Sequence, residues 1–464
     1  MEQFDLIVIG AGPGGYPAAI RAAQLGAKVA LVEREQLGGT CLNWGCIPTK
    51  ALIAAADTFA KINHAQMFGI HVTGATVDYP AMIGHKNKVV SQLRDGIGAL
   101  LTGNGVQTAT GTAAFVDRNT IEVTNTTGST RLTAGKIIIA TGSTSAMPGF
   151  LPKHDRIVES RGFLDITQLP ASLIVLGGGF IGCELACMAA LLGVKVTIVE
   201  LLADILLLLD ADVRREVRTH MEKELGIRVL TGQALTKITA DAKAVRGSLG
   251  DEVLTADLLL SAVGRQPVTD GLKLENAGLK TNDRGFIEAD DYCRTKVANI
   301  FAIGDVTGKI QLAHYATAQG IAAAQNAVHA KPQKHDTLVP NVIFTAPEVG
   351  TAGLSEDEAK KQNRAVKTGK FRFAGLGKGL ATGETAGFVK WIADASTDQL
   401  LGAAAVGPHA TELIAEAAAV IRAELTAAEL GRTIHAHPTF SESWMEAAHA
   451  LHGTCIHGAP KRKK

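Results

Sequence analysis

The sequence predicts an α/β fold with two Rossmann-like domains followed by a C-terminal α+β domain. Three observations lead to this class. A strand, a glycine-rich turn, a helix and a second strand follow one another twice, and no such turn occurs after about residue 340. The length of 464 residues also leaves room for three or four domains of about 100–200 residues each.

The first copy of this pattern lies at the start of the chain. Strand Phe4–Ile9 leads into the turn, and a helix over Ala18–Leu25 and a strand over Lys28–Val32 follow. The turn glycines and the acid that ends the second strand are Gly10, Gly12, Gly15 and Glu33. The first glycine allows a tight bend, the second lets the backbone approach a pyrophosphate, and the third lets helix and strand pack closely. An acid 23 residues after the first glycine is placed to hydrogen-bond a ribose.

The same pattern returns in the middle of the chain with the same spacing. Its strand covers Ser172–Leu176, its helix Cys183–Leu192 and its second strand Lys195–Val199. The corresponding glycines and acid are Gly177, Gly179, Gly182 and Glu200. A single glycine turn is weak evidence, but two copies with matching acids predict two dinucleotide sites.

A closely spaced cysteine pair, Cys41 and Cys46, follows the first unit. Five residues of regular helix rise about 7.5 Å, which exceeds the limit of roughly 7 Å between the Cα atoms of a disulphide. The pair can therefore close only if the segment is irregular, and Gly45 and Pro48 give reasons for irregularity. Such a bridge would be reducible, which suits catalysis. Two buried thiols remain an alternative. A metal site is disfavoured because no second Cys/His cluster lies nearby, and we predict no metal.

Composition favours a globular protein of a reducing compartment. Charged residues make up 20% of the chain and the formal net charge is +1, so neither nucleic acid nor a membrane surface is an expected partner. No apolar run is long enough to span a membrane, and the start, Met1–Asp5, lacks the basic segment of a signal peptide. Six cysteines in a chain of this length do not form a disulphide scaffold, so we expect a cytoplasmic protein.

Three smaller features receive structural interpretations. Cys183 and Cys187 lie one turn apart on the second predicted helix and are expected in the core. The run Leu201–Leu209 is interrupted only by Asp204. It forms an apolar patch if its side chains are exposed, and its pattern does not distinguish exposed from buried positions. The basic cluster Lys461–Lys464 is expected to be a solvated tail.

Further motifs follow in a recognisable order along the chain. The cysteines lie in Gly38–Lys50, and the other segments are Ala140-Thr141-Gly142, Gly264-Arg265-x-Pro267, Ile303-Gly304-Asp305 and His435–Glu442. Together with the two glycine turns, these segments resemble the pyridine nucleotide-disulphide oxidoreductases over nearly the whole chain. Within that family, Gly38–Lys50 is most similar to the members that oxidise dihydrolipoamide.

The resemblance implies four domains. They are an FAD domain (1–145), an NAD domain (146–268), a central domain that completes the FAD site (269–339) and a dimerisation domain (340–464). The predicted strands Gly387–Ile392 and Leu400–Val406 and the helix Thr411–Leu425 agree with a separate last domain. The implied FAD-binding residues are Gly10, Gly12, Gly15, Glu33, Lys50, Thr141, Gly142, Asp305 and Ala313. The implied NAD-binding residues are Gly177, Gly179, Phe180 (as a gate of the nicotinamide pocket), Gly182, Glu200 and Gly264.

The resemblance also implies catalytic roles. Cys46 lies beside the flavin, and Cys41 exchanges with a substrate disulphide. His437 acts as the base and is oriented by Glu442, since a base near a cysteine pair generates the reactive thiolate. Lys50 and Glu184 form an ion pair near the flavin, and His435 gives support only. Taken alone, these residues could equally be a packing histidine and solvated helix charges.

The implied activity is the NAD⁺-dependent oxidation of dihydrolipoamide by a homodimer. Its partner would be a lipoyl-bearing protein of a 2-oxoacid dehydrogenase complex or of a glycine cleavage system. Mercuric reductases carry paired C-terminal cysteines, whereas only Cys455 occurs here. Glutathione reductases prefer NADPH and have arginines where Glu200 stands. A non-enzymatic flavoprotein subunit is the remaining alternative, and a turnover assay separates it from an enzyme.

Overall fold

The computed structural model describes residues 2–329 and 332–458, so the basic cluster Lys461–Lys464 lies outside the described residues. The first part of the chain forms a seven-stranded sheet in the order β3-β2-β1-β6-β5-β4, with a later strand beside β6. Strands β1, β2, β3 and β6 run parallel, and β4 and β5 form an antiparallel extension. The elements up to residue 145 are β1 (Glu2–Ile9), α1 (Gly15–Gln24), β2 (Val29–Glu33), α2 (Gly39–Trp44), α3 (Cys46–Asn63), α4 (Tyr79–Gly103), β3 (Gln107–Thr110), β4 (Thr112–Phe115), β5 (Thr120–Asn125), β6 (Gly128–Ile139) and β7 (Ser143–Ser145).

The second part is a parallel five-stranded sheet in the order β11-β10-β9-β15-β8, with a small antiparallel sheet of β12, β13 and β14. Its last strand, β16, pairs with β7 in an antiparallel two-stranded connector between the two large sheets. The elements are β8 (Ile157–Glu159), α5 (Ser160–Leu164), β9 (Ser172–Leu176), α6 (Phe180–Leu191), β10 (Lys195–Glu200), α7 (Ala211–Lys223), β11 (Arg228–Thr231), β12 (Thr236–Ala240), β13 (Val245–Leu249), β14 (Glu252–Ala256), β15 (Leu258–Ser261) and β16 (Arg265–Pro267).

The third part returns to the first sheet and then forms an antiparallel sheet of its own. Strand β17 pairs with β6, and the last sheet has the order β18-β19-β22-β21-β20. The elements are β17 (Ile300–Ala302), α8 (Ala313–Val328), β18 (Asn341–Ile343), β19 (Val349–Gly353), α9 (Glu356–Lys361), β20 (Val366–Arg372), α10 (Gly377–Thr382), β21 (Phe388–Asp394), β22 (Leu400–Val406), α11 (Ala410–Arg422), α12 (Ala427–Gly431) and α13 (Glu442–Leu451). The predicted α/β class with a C-terminal α+β unit is confirmed.

Both nucleotide-unit helices begin earlier than the sequence pattern predicts. They start at Gly15 and Phe180 instead of Ala18 and Cys183. Each glycine turn therefore continues directly into its helix, and the third glycine lies within the first helical turn. The predicted core positions of Cys183 and Cys187 on α6 are confirmed, because both side chains are fully buried.

The leucine run after β10 divides into buried and exposed positions. Ile205, Leu206 and Leu209 belong to the core, whereas the exposed members are Leu201, Leu202, Leu207 and Leu208. Asp204 fixes the loop, because its carboxylate accepts hydrogen bonds from Arg214 and Arg218 of α7. Four leucines of the run are therefore exposed, and three of its apolar residues are buried.

A buried lysine joins the second part of the chain to the C-terminal sheet. Lys390 of β21 is 0% exposed, and its Nζ lies 2.7–2.8 Å from carboxylate oxygens of Asp210, Asp212 and Glu356. Partial burial opposes ionisation of Asp212, but hydrogen bonds from Lys370 and Lys390 lower its pKa to about 2. Among the described residues, no helix is both long and apolar enough to cross a membrane.

Candidate active site

The first glycine turn has one open position between two tightly packed ones. Gly10 has a φ of +100°, and a Cβ there would lie 2.4 Å from the carbonyl oxygen of Ala140. A Cβ on Gly15 would lie 1.8 Å from the Gly10 carbonyl oxygen. A Cβ on Gly12 would meet only the Cα of Gly39, at 4.0 Å. Packing therefore requires glycine at Gly10 and Gly15, whereas Gly12 keeps the turn clear for a ligand, as a bound pyrophosphate needs.

The second glycine turn repeats this arrangement. Gly177 has a φ of +109°, and a Cβ there would lie 2.5 Å from the carbonyl oxygen of Ala262. A Cβ on Gly182 would lie 2.1 Å from the Gly177 carbonyl oxygen, whereas one on Gly179 would have no neighbour within 4 Å among the described residues. The middle glycine again keeps the turn clear. We call the two turns, Gly10–Gly15 and Gly177–Gly182, the first and second phosphate cradles, and both fit a dinucleotide.

The two acids adopt the same conformation in both units. Glu33 accepts hydrogen bonds from the backbone N–H groups of Ala11 and Glu35, both at 2.8 Å. Glu200 accepts them from Gly178 at 2.6 Å and from Leu202 at 2.8 Å. Each carboxylate is thereby fixed at the end of its strand and retains lone pairs for ribose hydroxyls.

The cysteine pair lies at a break between two helices. Helix α2 ends at Trp44, Gly45 has φ and ψ of −141° and −108°, and α3 begins at Cys46. The predicted irregularity is therefore confirmed. Cys41 and Cys46 are free thiols in this structure.

The surroundings shift the pKa values of these two thiols in opposite directions. A hydrogen bond from Cys41 lowers the pKa of Cys46 against the opposing effect of burial, and the charge of Lys50 lowers it further. The same hydrogen bond, together with burial, raises the pKa of Cys41. The pKa of Cys46, the residue predicted to lie beside the flavin, is therefore below that of Cys41.

The predicted ion pair next to the thiols is present. Lys50 Nζ lies 2.8 Å from Glu184 Oε2, and 10% of the Glu184 side chain is exposed. The other carboxylate oxygen accepts a hydrogen bond of 2.8 Å from the backbone N–H of Phe344, whose ring centroid lies 4.5 Å from Lys50 Nζ. The pair connects α3 to α6, so the thiol-bearing helix and the second nucleotide unit are fixed relative to each other. Its nearness to a flavin stays a prediction.

The remaining predicted cofactor residues line the junction between the two units. Thr141 donates a hydrogen bond of 2.7 Å to the carbonyl oxygen of Val268. Gly142 and Gly264 have φ values of +69° and +137°, which favour glycine. Ala313 begins α8, whose Thr317 donates a hydrogen bond to the carbonyl oxygen of Pro13 in the first turn. The N-terminal turn of α8 therefore lies beside the first cradle.

The predicted base forms a separate cluster in the C-terminal part. His437 Nδ1 lies 2.9 Å from Glu442 Oε1, and 75% of the His437 side chain is exposed. Partial burial opposes ionisation of Glu442, but hydrogen bonds from the Thr439 backbone and from His437 keep its pKa below the ordinary value. Within one chain, no hydrogen bond or ion pair among the described residues joins His437 to Cys41 or Cys46.

His435 and Phe180 were assigned smaller roles. The His435 side chain is 5% exposed and contacts Glu416 Oε1 at 2.8 Å, whereas His437 contacts Glu442. This contact is first among the causes that raise the pKa of His435, and it agrees with a supporting role. Phe180 is the half-buried first residue of α6 and packs against the core, and its function as a gate stays a prediction.

The sequence interpretation missed three residues around the thiols. Phe344, described above, comes from a distant segment and has no local signal. Asn43 lies between the cysteines, donates to the carbonyl oxygens of Leu37 and Gly39, and leaves its own buried Oδ1 without a partner among the described residues. The ring centroid of Trp44 lies 3.8 Å from the guanidinium of Arg161. A buried polar residue and an aromatic residue between two cysteines were the available signals.

Comparison with known proteins identifies the family. The profile described as pyridine nucleotide-disulphide oxidoreductase matches residues 4–320, and that of the dimerisation domain of this family matches residues 339–448. The chain is 44% identical over 461 residues to dihydrolipoyl dehydrogenase of Chlamydia pneumoniae, with 99% of each chain covered. It is 42% identical over 462 residues to the protein of the same name from Geobacillus stearothermophilus, covering 98% of this chain and 97% of the relative.

Solved structures of two other proteins have the same fold. LpdA from Mycobacterium tuberculosis superposes with a TM-score of 0.90 at 27% identity, covering 97% of this chain and 100% of that one. The HOCl-induced flavoprotein disulfide reductase RclA from Escherichia coli gives 0.86 at 29% identity, covering 95% and 98%. From these matches and the geometry above, the chain belongs to the pyridine nucleotide-disulphide oxidoreductase family.

Proposed function

We propose that the chain is an enzyme that oxidises protein-bound dihydrolipoamide and reduces NAD⁺, the activity of a dihydrolipoyl dehydrogenase. One observation carries the proposal: the helix pair that bears Cys41 and Cys46 contacts the first phosphate cradle and is ion-paired to the second nucleotide unit. Gly39, at the start of the thiol-bearing helix pair, covers the first cradle, and the Lys50–Glu184 ion pair links that helix pair to the second. When bound, FAD supplies a two-electron carrier between the thiols and NAD⁺.

The chain's own residues account for the thiol chemistry. His437 accepts a proton from one substrate thiol, and the thiolate attacks Cys41 of the oxidised pair, so that the Cys41–Cys46 bond breaks and Cys46 leaves as a thiolate. The second substrate sulphur then attacks the substrate sulphur bonded to Cys41 and closes the cyclic disulphide of lipoamide. The bond to Cys41 breaks in this step, and Cys41 leaves as a thiol that takes up the proton of the second substrate thiol. Two electrons thus move from substrate to enzyme, and Lys50 stabilises the negative charge left on Cys46.

The homodimer explains where the base acts. The dimerisation domain carries His437 and Glu442, and in one chain these residues have no bond to the thiols. We infer that they reach Cys41 and Cys46 of the partner subunit across a two-fold axis, which would make two shared sites per dimer.

Three finer assignments belong to the same proposal. The substrate carrier is a lipoyl-bearing protein of a 2-oxoacid dehydrogenase complex or of a glycine cleavage system. A pair that cycles through free thiols suits a reducing compartment, so the cytoplasm is the proposed location. The four domain ranges given above are part of the proposal as well. Co-purification with a lipoylated protein would identify the carrier.

The thiol assignment is tested by Cys46→Ser. We expect the variant to bind FAD and NAD⁺ but to lose dihydrolipoamide-dependent NADH formation, by at least about 1000-fold, because no thiolate remains to pass electrons on. The matched control is Cys455→Ser, which removes a half-buried thiol of the C-terminal segment and should keep full activity. Normal turnover by Cys46→Ser would overturn the proposed function.

The shared site is tested by mixing two inactive variants. Cys46→Ser and His437→Gln chains are unfolded together and refolded, so that half of the dimers contain one chain of each kind. Such a heterodimer has one site with both lesions and one site with neither, so about a quarter of the wild-type activity should return. If each site belonged to one chain, the mixture would stay inactive even where subunit exchange is demonstrated.

A further inference from the structure

The carboxylate of Asp305 is fixed by two residues that no motif singled out for cofactor binding. Ser143 Oγ donates a hydrogen bond of 2.5 Å to Asp305 Oδ2, and the same Oγ accepts one of 2.7 Å from Arg265 Nε. Arg265 also donates a hydrogen bond of 2.7 Å to the backbone oxygen of Ser143. Its Nε lies 3.7 Å from Asp305 Oδ2, so the guanidinium contributes charge as well as hydrogen bonds.

These three residues come from three separate segments. Ser143 starts β7, where the chain enters the second nucleotide unit, and Arg265 starts β16, where it leaves that unit. The two strands form the two-stranded connector, in which Ser143 pairs with Pro267 and Arg265 pairs with Ser145. Asp305 lies in the short 3-10 helix Gly304–Thr307, directly after β17 of the first sheet.

The burial of these three side chains restricts the orientation of the Asp305 carboxylate. Ser143 is 6% exposed, and 15% of the Arg265 side chain and 23% of the Asp305 side chain are exposed. In so confined a place a hydroxyl that both donates and accepts allows one orientation of the carboxylate. Oδ2 is directed towards Ser143. Among the described residues no side-chain hydrogen bond occupies Oδ1, which can therefore accept a ligand hydroxyl.

We propose that Ser143 and Arg265 are positioning residues for FAD, because they orient the Asp305 carboxylate that accepts a hydrogen bond from the ribitol chain. The proposal rests on the proposed function only in taking Asp305 as an FAD ligand. It makes the connector between the two nucleotide units part of the FAD site.

The test measures FAD release from the purified holoenzyme. Ser143→Ala leaves Asp305 without its donor, so we expect FAD to dissociate about tenfold more readily, the effect typical of losing a hydrogen bond to a charged group. Dilution of the yellow protein and the rise of free-flavin fluorescence give the dissociation constant. Ser143→Thr keeps the hydroxyl and should restore binding to within about twofold of the wild type.

Ser145→Ala is the matched control. Ser145 lies two residues further along the same strand, and its hydroxyl contacts Ser160 at 3.1 Å, not Asp305. It should leave FAD release unchanged, and the KM for NAD⁺ should be unaffected in all three variants. A general weakening of the connector would instead change Ser143→Ala and Ser145→Ala alike.

Arg265→Gln provides a second measurement if Ser143→Ala does not fold. It removes the guanidinium but leaves the Ser143–Asp305 contact, so a smaller increase in FAD release, about threefold, is expected. FAD release equal to the wild type in every folded variant would overturn the positioning role. A wild-type protein that binds FAD but does not oxidise dihydrolipoamide would overturn the proposed function and leave this inference standing.

Discussion

The two glycine turns have the same backbone plan but differ in what covers them. Their first glycines have φ values of +100° and +109°, and each acid is held by the backbone N–H group that follows the first glycine. Gly12 is half-buried, with Gly39 placed over it. Gly179 is exposed, and a Cβ there would meet no described atom within 4 Å.

The difference arises from the segment that follows each acid. After Glu33 the chain turns at Gly38 and Gly39, with φ values of +91° and +59°, and crosses the first turn, where the Gly38 N–H donates to the carbonyl oxygen of Ala11. After Glu200 the chain returns only as far as Gly178, to which Leu206 donates a hydrogen bond. A covered cradle suits a cofactor that stays bound, and an open one suits a nucleotide that exchanges in every turnover.

The largest effects are expected from the third glycines, which separate the two sites. Gly15→Ala would place a Cβ 1.8 Å from the Gly10 carbonyl oxygen, so we expect a protein isolated without flavin absorbance. Gly182→Ala would place one 2.1 Å from the Gly177 carbonyl oxygen. That variant should stay yellow but lose kcat/KM for NAD⁺ by about 100-fold, because a displaced turn misplaces its ligand. Full flavin retention by Gly15→Ala would contradict the assignment of the first turn.

A smaller effect is expected from the acids, which should control different properties. We expect the Glu200 carboxylate to accept hydrogen bonds from the NAD ribose and to repel a 2′-phosphate, so the wild type should strongly prefer NAD⁺ to NADP⁺. Glu200→Ala should lower kcat/KM for NAD⁺ about tenfold and should not lower that for NADP⁺, because the repulsion of the 2′-phosphate is removed. Glu33→Ala is the control: it should weaken FAD retention without changing the choice of nucleotide. Equal use of NAD⁺ and NADP⁺ by the wild type would refute this role of Glu200.

Substitutions of the middle glycines, Gly12 and Gly179, test how the covered and the open cradle differ. Gly179→Ala adds a methyl group clear of all described protein atoms, so its unfolding temperature should equal that of the wild type. Its KM for NAD⁺ should nevertheless rise about fivefold, because the methyl group occupies the space that a pyrophosphate needs. Gly12→Ala should instead act on FAD release and leave the KM for NAD⁺ unchanged. A shift of the KM for NAD⁺ in Gly12→Ala would mean that the two cradles are assigned the wrong way round.

The smallest effect concerns the thiols of the helix pair that begins over the first cradle. Lys50 lowers the pKa of Cys46, in addition to the larger effect of the hydrogen bond from Cys41. Lys50→Met should therefore raise that pKa, and the long-wavelength thiolate-to-flavin absorbance of the reduced enzyme should appear only at higher pH. Lys61→Met, near the other end of the same helix, should not move this pH dependence. An unchanged pH dependence of this absorbance in Lys50→Met would contradict the proposed effect of Lys50 on Cys46.

Much of the site could be predicted from the sequence because its parts are local. The glycine turns, the acids 23 residues further on and the His437–Glu442 contact all depend on short spacings. The Lys50–Glu184 pair spans 134 positions and came from the family resemblance alone.

Contacts between distant segments could not be predicted in this way. Phe344 at Glu184 and Ser143 at Asp305 are set by how the sheets pack together, which no local pattern encodes. In the leucine run, consecutive identical residues give no periodicity, so the sequence could not tell buried Leu206 from exposed Leu208.

The buried ion pairs of Lys390 limit how parts of this chain can be exchanged with the corresponding parts of relatives. The Lys390 ammonium is buried in one part of the chain, and two of the three carboxylates around it, Asp210 and Asp212, belong to another. Replacement of Lys390 alone, or of the two aspartates alone, would leave an uncompensated buried charge. Such a charge lowers the free energy of unfolding by about 3–5 kcal/mol. The second nucleotide unit and the C-terminal sheet therefore cannot be exchanged independently between relatives. A chimera that replaces one of them must carry the matching lysine or aspartates with it.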